Sequence, residues 1–175
     1  MMKTDSSIDI HQLVSKLKNE DQKYSNLSRR MQVMYMVLIP VYLFLIIVHI
    51  IDGSSGFEIL SSICFLLGMV SFAVLFHNYH KEYKLVDYSQ PTVLMLKKAV
   101  NRYQPITKRT IWTIPGILFI GAGLSLKTSL GETIIIQVIF WVSMVLAIFI
   151  GLLWWKKRYK PIRDSALAML RELEN

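Results

Sequence analysis

The sequence predicts an all-α integral membrane protein with four transmembrane helices, arranged as two hairpins, and with amphipathic helices on the cytoplasmic side. Three observations predict this class. Apolar residues make up 53% of the 175 residues, nearly all charged residues lie outside four apolar runs, and the basic residues gather in alternate segments. This distribution is unlike that of a disordered chain or an ordinary soluble domain.

The four apolar runs are the predicted spans. A helix that crosses a hydrocarbon core of about 30 Å needs about 20 apolar residues. The runs cover 31–51, 57–77, 111–126 and 134–155, and they hold 21, 21, 16 and 22 residues. The third run is short, so it spans if the bilayer thins or if flanking Lys and Arg side chains reach the interfaces. The alternative for this run is a re-entrant segment.

The same runs predict how the chain is divided and how it is oriented. All Lys and Arg residues except Lys127 lie before the first span, between the second and third, or after the fourth. Cytoplasmic loops carry such an excess of basic residues, so we expect an inner-membrane protein with both termini in the cytoplasm. The predicted segments are a cytoplasmic amphipathic helix (1–30), a first transmembrane hairpin (31–79), a basic cytoplasmic linker with a helix (80–110), a second hairpin (111–155) and a cytoplasmic C-terminal helix (156–175).

Three amphipathic helices are predicted in the cytoplasmic segments, over about 8–27, 92–103 and 161–173. Each has apolar residues at helical spacing on one face, although Glu20 interrupts the first stripe. One interpretation lays these helices on the inner leaflet, with Lys and Arg near anionic headgroups. The other packs them into a small cytoplasmic bundle that binds a protein partner. In both, Glu20 and Asp21 are expected on a solvated segment.

Small residues predict how the spans pack, because they let transmembrane helices approach closely. The predicted packing residues are Cys64 and Gly68 in span two, Gly121 and Ser125 in span three, and Ser143, Ala147 and Gly151 in span four. Spans two to four are expected in close contact. Span one, which has no Gly, Ala or Ser, is expected at the periphery. The stripe in span four is either a contact within the chain or the seam of a homo-oligomer.

The sequence predicts no catalytic, cofactor or metal site. It contains no nucleophile elbow, phosphate loop or HExxH motif. His49 and His77 lie at opposite ends of antiparallel spans and cannot share one haem iron, and His77 and His80 have no third ligand nearby in the sequence. Nucleic-acid binding is not expected despite the net charge of +8, because the basic residues follow the span ends. Those expected to contact lipid headgroups or a partner are Arg29, Arg30, Lys108, Arg109, Lys156, Lys157 and Arg158.

A resemblance to known proteins is confined to the middle third of the chain. The motifs are DYSQP at 87–91, MLKKA at 95–99, RY at 102–103 and IPG at 114–116. With them the chain resembles uncharacterised four-span membrane proteins of gut Bacteroidota, some of which are encoded near alternative sigma factors. The resemblance implies a membrane-tethered regulatory role and carries over no active site.

The function expected from the sequence is therefore non-enzymatic. The protein is expected to be a membrane-anchored interaction or regulatory subunit whose basic cytoplasmic helices contact membrane lipid or a cytoplasmic protein partner. The alternative is a small transporter or channel subunit that works as a homo-oligomer, with the polar side chains of Gln137 and Ser143 along a symmetric seam.

Overall fold

The computed structural model describes residues 10–104, 110–127 and 130–174, which form helices joined by short turns and loops, with no strand among them. The helices are α1 (Ile10–Ile51), α2 (Gly56–Lys84), α3 (Thr92–Arg102), α4 (Thr113–Lys127) and α5 (Leu130–Glu174), and a short 3-10 turn (Thr110–Trp112) precedes α4. In the described part of the chain, α1, α2 and α5 are long and apolar enough to cross a membrane, whereas α4 with its 3-10 turn is a shorter apolar helix.

The two terminal helices are longer than predicted. α1 joins the predicted amphipathic helix and span one in a single helix of 42 residues, and α5 joins span four and the predicted C-terminal helix in one of 45 residues. The expected breaks near residues 30 and 155 are absent because good helix formers, Arg29, Arg30, Lys156 and Lys157, occupy the junctions. α5 also continues through Pro161, which was expected to begin a separate helix.

A tight turn connects α1 to α2. Gly53 has a φ of +64°, a conformation that favours glycine because it has no Cβ atom. Ser55 then caps α2: its hydroxyl accepts from the backbone N–H of Glu58, and the Glu58 carboxylate accepts from the Ser55 N–H at 3.0 Å. Two backbone donors that would be unpaired at the helix start are thereby satisfied. Glu58, which is the acid of the second predicted span, serves as this cap.

Small residues bring α2 and α4 together. A Cβ atom added to Gly68 would lie 2.9 Å from the Ile120 side chain and 3.3 Å from the Gly116 carbonyl. One added to Gly123 would lie 3.1 Å from the Ser61 carbonyl, and the Ser61 hydroxyl donates to the Gly123 carbonyl at 2.7 Å. Ser61 and Gly68 are seven residues apart in α2, as are Gly116 and Gly123 in α4. Gly68 lies against Gly116 and Ser61 lies against Gly123, so the two helices run antiparallel at this contact.

The most apolar 18-residue window of span one contains no buried residue, which agrees with its predicted peripheral position. Aromatic rings pack its helix, α1, against α2. Tyr35 stacks on Phe72 and Phe76 with ring centroids 5.3 Å and 5.7 Å apart, and Tyr42 stacks on Phe65 at 5.6 Å. Ring stacking thus holds span one on α2 without the close backbone approach that small residues allow.

The span-four part of α5 is exposed rather than enclosed. Ser143, Ala147 and Gly151 are all exposed, and a Cβ atom added to Gly151 would meet nothing within 4 Å. The expectation of close packing against spans two and three was therefore wrong for this stripe, as was its interpretation as a contact within the chain. α5 meets α4 near Gly121, whose added Cβ would lie 3.5 Å from Trp141.

Three helical segments outside the apolar runs pack into what we call the terminal bundle. They are residues 10–28 of α1, the helix α3, and residues 156–174 of α5. Its core contains side chains from all three segments, with Leu17, Leu96 and Ala166 each fully buried. The full buried set is Leu13, Leu17, Met95, Leu96, Ala99, Tyr103, Ile162, Ala166 and Met169. The apolar stripes predicted from the sequence thus face one another.

Candidate functional site: a buried acidic pair in the terminal bundle

Asp21 is the centre of a buried polar cluster. It lies on α1 one helical turn after the core residue Leu17, and it is 1% exposed. Its Oδ1 atom accepts from the Tyr103 hydroxyl at 2.6 Å, and its Oδ2 atom accepts from the Tyr88 hydroxyl at 2.5 Å and from Arg102 Nη2 at 2.9 Å. A buried carboxylate needs such donors to offset the loss of hydration. The cluster joins α1 to the end of α3 and to the segment before it.

Arg102 carries the positive charge that faces Asp21. Its side chain is only 10% exposed, and its Nε atom is buried without a hydrogen-bond partner. A guanidinium presents five N–H donors in a fixed fork, so using one of them on Asp21 restricts the others. The pairing of opposite charges outweighs the lost hydrogen bond because an unpaired buried charge costs more than an unpaired N–H group.

The neighbouring acid, Glu20, joins α1 to α5. Arg158 Nε donates to Glu20 Oε2 at 2.9 Å and Arg158 Nη2 donates to Oε1 at 3.1 Å, which is a two-pronged ion pair. The Lys23 ammonium group lies 3.2 Å from the same carboxylate. The hydrogen bonds from Arg158 are the largest cause that lowers the pKa of Glu20, with a smaller contribution from Lys23. Glu20 is therefore held ionised.

Tyrosine rings surround both acids. Tyr103 stacks on Tyr159 with centroids 5.7 Å apart, and Tyr24 packs on Tyr83 at 4.5 Å. Burial raises the pKa of Tyr24 to about 12, with smaller contributions from Tyr79 and Tyr159. Burial also raises the pKa of Tyr103, and the Asp21 carboxylate adds to that effect. Both phenols therefore remain protonated at any physiological pH, and the Tyr103 hydroxyl keeps donating to Asp21.

The arrangement is suited to joining helices rather than to proton transfer. Three side chains, Tyr88, Arg102 and Tyr103, each donate one hydrogen bond to the Asp21 oxygens, and burial raises the pKa of the two phenols among them. Trp155 adds a further connection, since its Nε1 atom donates to the Tyr103 carbonyl at 2.8 Å. α1, α3 and α5 are thereby connected to one another through side chains at the base of the bundle.

The predicted basic contact residues are found in three situations. Arg29, Arg30, Lys156 and Lys157 are exposed, which leaves them accessible to a headgroup or a partner. Arg158 is instead engaged by Glu20. Lys108 and Arg109 lie outside the described residues.

The predicted packing residues are divided in a similar way. Gly68 lies at the close contact between α2 and α4, and Cys64 is half-buried in α2. Ser125 donates to the Gly121 carbonyl within α4 at 2.8 Å, and Gln137 of α5 donates to the Ser125 hydroxyl. Gln137 is therefore part of a contact inside the chain. Ser143 lies six residues further on and faces about 120° away from Gln137 around the helix, so the two do not form one polar seam.

The histidines of α2 contact α1. His80 Nδ1 lies 3.0 Å from the Ser25 hydroxyl, and His77 Nδ1 lies 3.2 Å from Gln32 Nε2. Within residues 10–104, 110–127 and 130–174, no three His, Cys, Asp or Glu side chains come close enough to hold a metal ion.

Sequence reasoning missed the acidic pair by placing Glu20 and Asp21 on a solvated segment. Glu20 and Asp21 are buried. Leu13, Leu17 and Asp21 are spaced four apart, so Asp21 continues the apolar stripe rather than leaving it. An acid within such a stripe indicates a buried ion pair, and the Arg102-Tyr103 pair at the end of α3 contains its donors.

Comparison of the chain with protein-family models, curated proteins and solved structures gives no match. The resemblance to Bacteroidota membrane proteins thus stays a prediction.

Proposed function

We propose that this chain is a non-enzymatic, membrane-anchored interaction or regulatory subunit, and that the terminal bundle is the part that binds a cytoplasmic protein. The observation that carries this proposal is the mutual burial of the three apolar stripes in the bundle core. Helices that lie on a lipid surface keep their apolar faces for the membrane. Here those faces are already used, which favours the bundle interpretation over the surface-lying one.

The proposed arrangement in the membrane is a four-span one, in two hairpins, with α1, α2, α4 and α5 crossing the inner membrane. The concentration of basic residues around the terminal bundle supports placing that bundle in the cytoplasm. The exposed Trp112 and Trp154 support interfaces near residues 112 and 154, since indole rings favour the headgroup level.

The surface that we propose for binding is the basic exterior of the bundle. Lys16 and Lys18 project from α1 and are exposed, and Lys98 projects from α3. A positive surface of this kind favours an acidic protein partner, because complementary charge speeds encounter and suppresses wrong partners. Enzyme activity and nucleic-acid binding are not part of the proposal.

Crosslinking in cells tests the binding surface. Replacing Lys16 and Lys18 by Glu should remove a crosslinked partner that the wild-type chain captures, while the fold is retained because both residues are exposed. The matched control replaces Lys81 and Lys84 by Glu, exposed lysines of α2 that lie outside the bundle. Capture that survives the first change, or is lost equally in the control, would refute the proposed surface.

Cysteine labelling tests the orientation. In a Cys64→Ser background, Ser54→Cys should react with a membrane-impermeant reagent added to intact cells and Ser89→Cys should not. The reverse pattern would place the bundle outside the cytoplasm.

The alternative, an oligomeric transporter or channel subunit, has one supporting observation, the exposed stripe of α5. Ser143→Cys in the same background should form a disulfide-linked dimer if two copies of this stripe meet. If the Ser143→Cys protein remains monomeric and the reconstituted wild-type chain carries no solute or ion flux across vesicles, this alternative is refuted.

A further inference from the structure

A half-open groove lies between the end of α2 and the start of α4. Its volume is about 890 Å³, which falls within the range of roughly 300–1,000 Å³ that is usual for small-molecule sites. Side chains between Val70 and Leu85, in α2 and at its C-cap, line one side of it, and Trp112 and Pro115 line the other.

The lining changes from apolar to polar along α2. The part toward the middle of the helix is formed by Val70, Val74 and Leu75, and Pro115 faces them from α4. Ser71 also lines this part, but its hydroxyl donates to the Leu67 carbonyl of its own helix at 2.8 Å. The hydroxyl proton is therefore not offered to a ligand in the groove. The part toward the terminal bundle contains most of the polar side chains of the groove, together with the apolar Leu85 at its end. An occupant that fits both parts has an apolar tail and a polar head.

The length of the groove matches one leaflet. From Val70 to Lys81, α2 rises roughly 17 Å at 1.5 Å per residue. One leaflet contributes about half of a hydrocarbon core of about 30 Å. A lipid tail that starts at the level of Lys81 would therefore reach Val70 near the middle of the bilayer.

The charge at the polar end favours an anionic head. Lys81 is exposed at the mouth, and Lys84 lies one turn further along α2. Asn78 and Tyr79 add an amide and a phenol that can donate to phosphate oxygens. Glu82 also lines the groove, so that the two lysines and this one acid leave a net positive charge at this end. Trp112, which is 71% exposed, forms the opposite wall with an indole that suits the headgroup level.

We propose that this groove binds one anionic glycerophospholipid, with its phosphate at Lys81 and Asn78 and an acyl chain along Val70, Val74 and Pro115. The inference rests on the membrane placement within the proposed function and is independent of any protein partner. It makes the groove a defined lipid site rather than part of the general lipid-facing surface.

Photo-crosslinking with a phosphatidylglycerol that carries a photoreactive acyl chain tests this site in the full chain, reconstituted in mixed bilayers. Labelled peptides should come from the groove segments of α2 and α4. Val74→Trp should fill the groove and remove that labelling. The matched control is Val37→Trp, because Val37 and Val74 are exposed to a similar extent, 60% and 54%, on different helices. Labelling spread evenly over α1 and α2, or unchanged in Val74→Trp, would overturn the proposal.

The headgroup is tested by charge removal and by competition. Lys81→Gln should weaken labelling by about fivefold, because one Lys near a headgroup contributes about 1 kcal/mol. Lys84→Gln should change it less. A single-chain lysophosphatidylglycerol should compete, whereas inorganic phosphate should not. Competition by phosphate alone, or equal labelling by a zwitterionic phosphatidylcholine, would contradict an anionic lipid site.

The two proposals fail in distinguishable ways. If the chain does not fractionate with membranes, the membrane placement fails and the lipid site with it. If it does and the groove remains unlabelled, only the lipid site fails. Loss of partner capture in the Lys16 and Lys18 variant has no bearing on the groove.

Discussion

One helix, α5, passes through two contrasting environments. Over residues 142–154 nearly every side chain is exposed, including large apolar ones such as Leu153. Over residues 162–169, Ile162, Ala166 and Met169 are buried against α1 and α3. The chain supplies its own packing partners in the terminal bundle and leaves the apolar segment to be covered by lipid or by another chain. The difference shows that hydrophobicity alone does not tell which part of the helix forms the core.

The largest loss of folding stability is expected from substitutions at the buried charges of the terminal bundle. Asp21→Ala leaves Arg102 buried without its counter-charge, which should cost about 3–5 kcal/mol of stability. Thermal or urea unfolding in mild detergent measures this loss. Asp164→Ala is the control, because that carboxylate is half-exposed beside Arg163. Asp21→Ala with Arg102→Met should recover part of the loss. Equal destabilisation by the two Asp substitutions would contradict a special role for Asp21.

Truncation of a leucine compares the two environments directly. Leu96→Ala removes a fully buried side chain and should destabilise the protein by about 2–5 kcal/mol. Leu153→Ala removes the same atoms from an exposed position on α5 and should change stability by less than about 0.5 kcal/mol. Similar losses in the same unfolding assay would mean that residues 142–154 are covered after all.

Two glycines, Gly68 in α2 and Gly151 in α5, allow the same comparison between a packed and an exposed position within the predicted spans. Gly68→Ala places a Cβ atom 2.9 Å from Ile120 and should cost about 1–3 kcal/mol, because overpacking forces α2 and α4 apart. Gly151→Ala places its Cβ atom in open space and should not destabilise the protein. The change in melting temperature distinguishes them, and a greater loss at Gly151 would indicate a contact made by a second chain.

The smallest expected effect on stability is the pH-dependent contribution of the ion pair between Glu20 and Arg158. The pKa of Glu20 is lowered in the folded protein, so its stabilising contribution is present above its ordinary pKa and is lost as the pH falls through the lowered value. The contribution should be no more than about 1 kcal/mol, because Arg158 is more than a third exposed and water screens the pair.

Glu20→Gln provides the measurement for that pair. The variant should be less stable than the wild type at neutral pH, and the two melting temperatures should converge as the solution is acidified below the Glu20 pKa. A gap that persists in acid would attribute the loss to packing rather than to charge.

Much of the fold followed from hydrophobic pattern and helix signals. α3 was predicted over about 92–103 and is found at Thr92–Arg102, and three of the four apolar runs lie in helices long enough to cross a membrane. The apolar stripes of the terminal bundle were also predicted. What the pattern left open was their partner, because a stripe is equally compatible with a lipid surface and with another helix.

The contacts between helices were harder to predict for physical reasons. Small residues were counted at spacings of four, whereas Ser61 and Gly68 in α2, and Gly116 and Gly123 in α4, are seven apart and face one another. Aromatic packing by Tyr35 and Tyr42 produces no small-residue signal at all. The burial of Asp21 depends on donors about 80 residues away, at Arg102 and Tyr103, which helical periodicity does not connect.

The unbroken course of α1 has a mechanical consequence. Its 42 residues correspond to roughly 63 Å of helix, with Asp21 anchored in the first third and the Gly53 turn just beyond the far end. Pro40 lies in the second half of this helix, and because it has no backbone N–H to donate, it removes one hydrogen bond of the helix and favours a bend there. A tilt applied at Asp21 is therefore carried by continuous helix as far as Pro40, where bending can absorb it before it reaches the Gly53 turn.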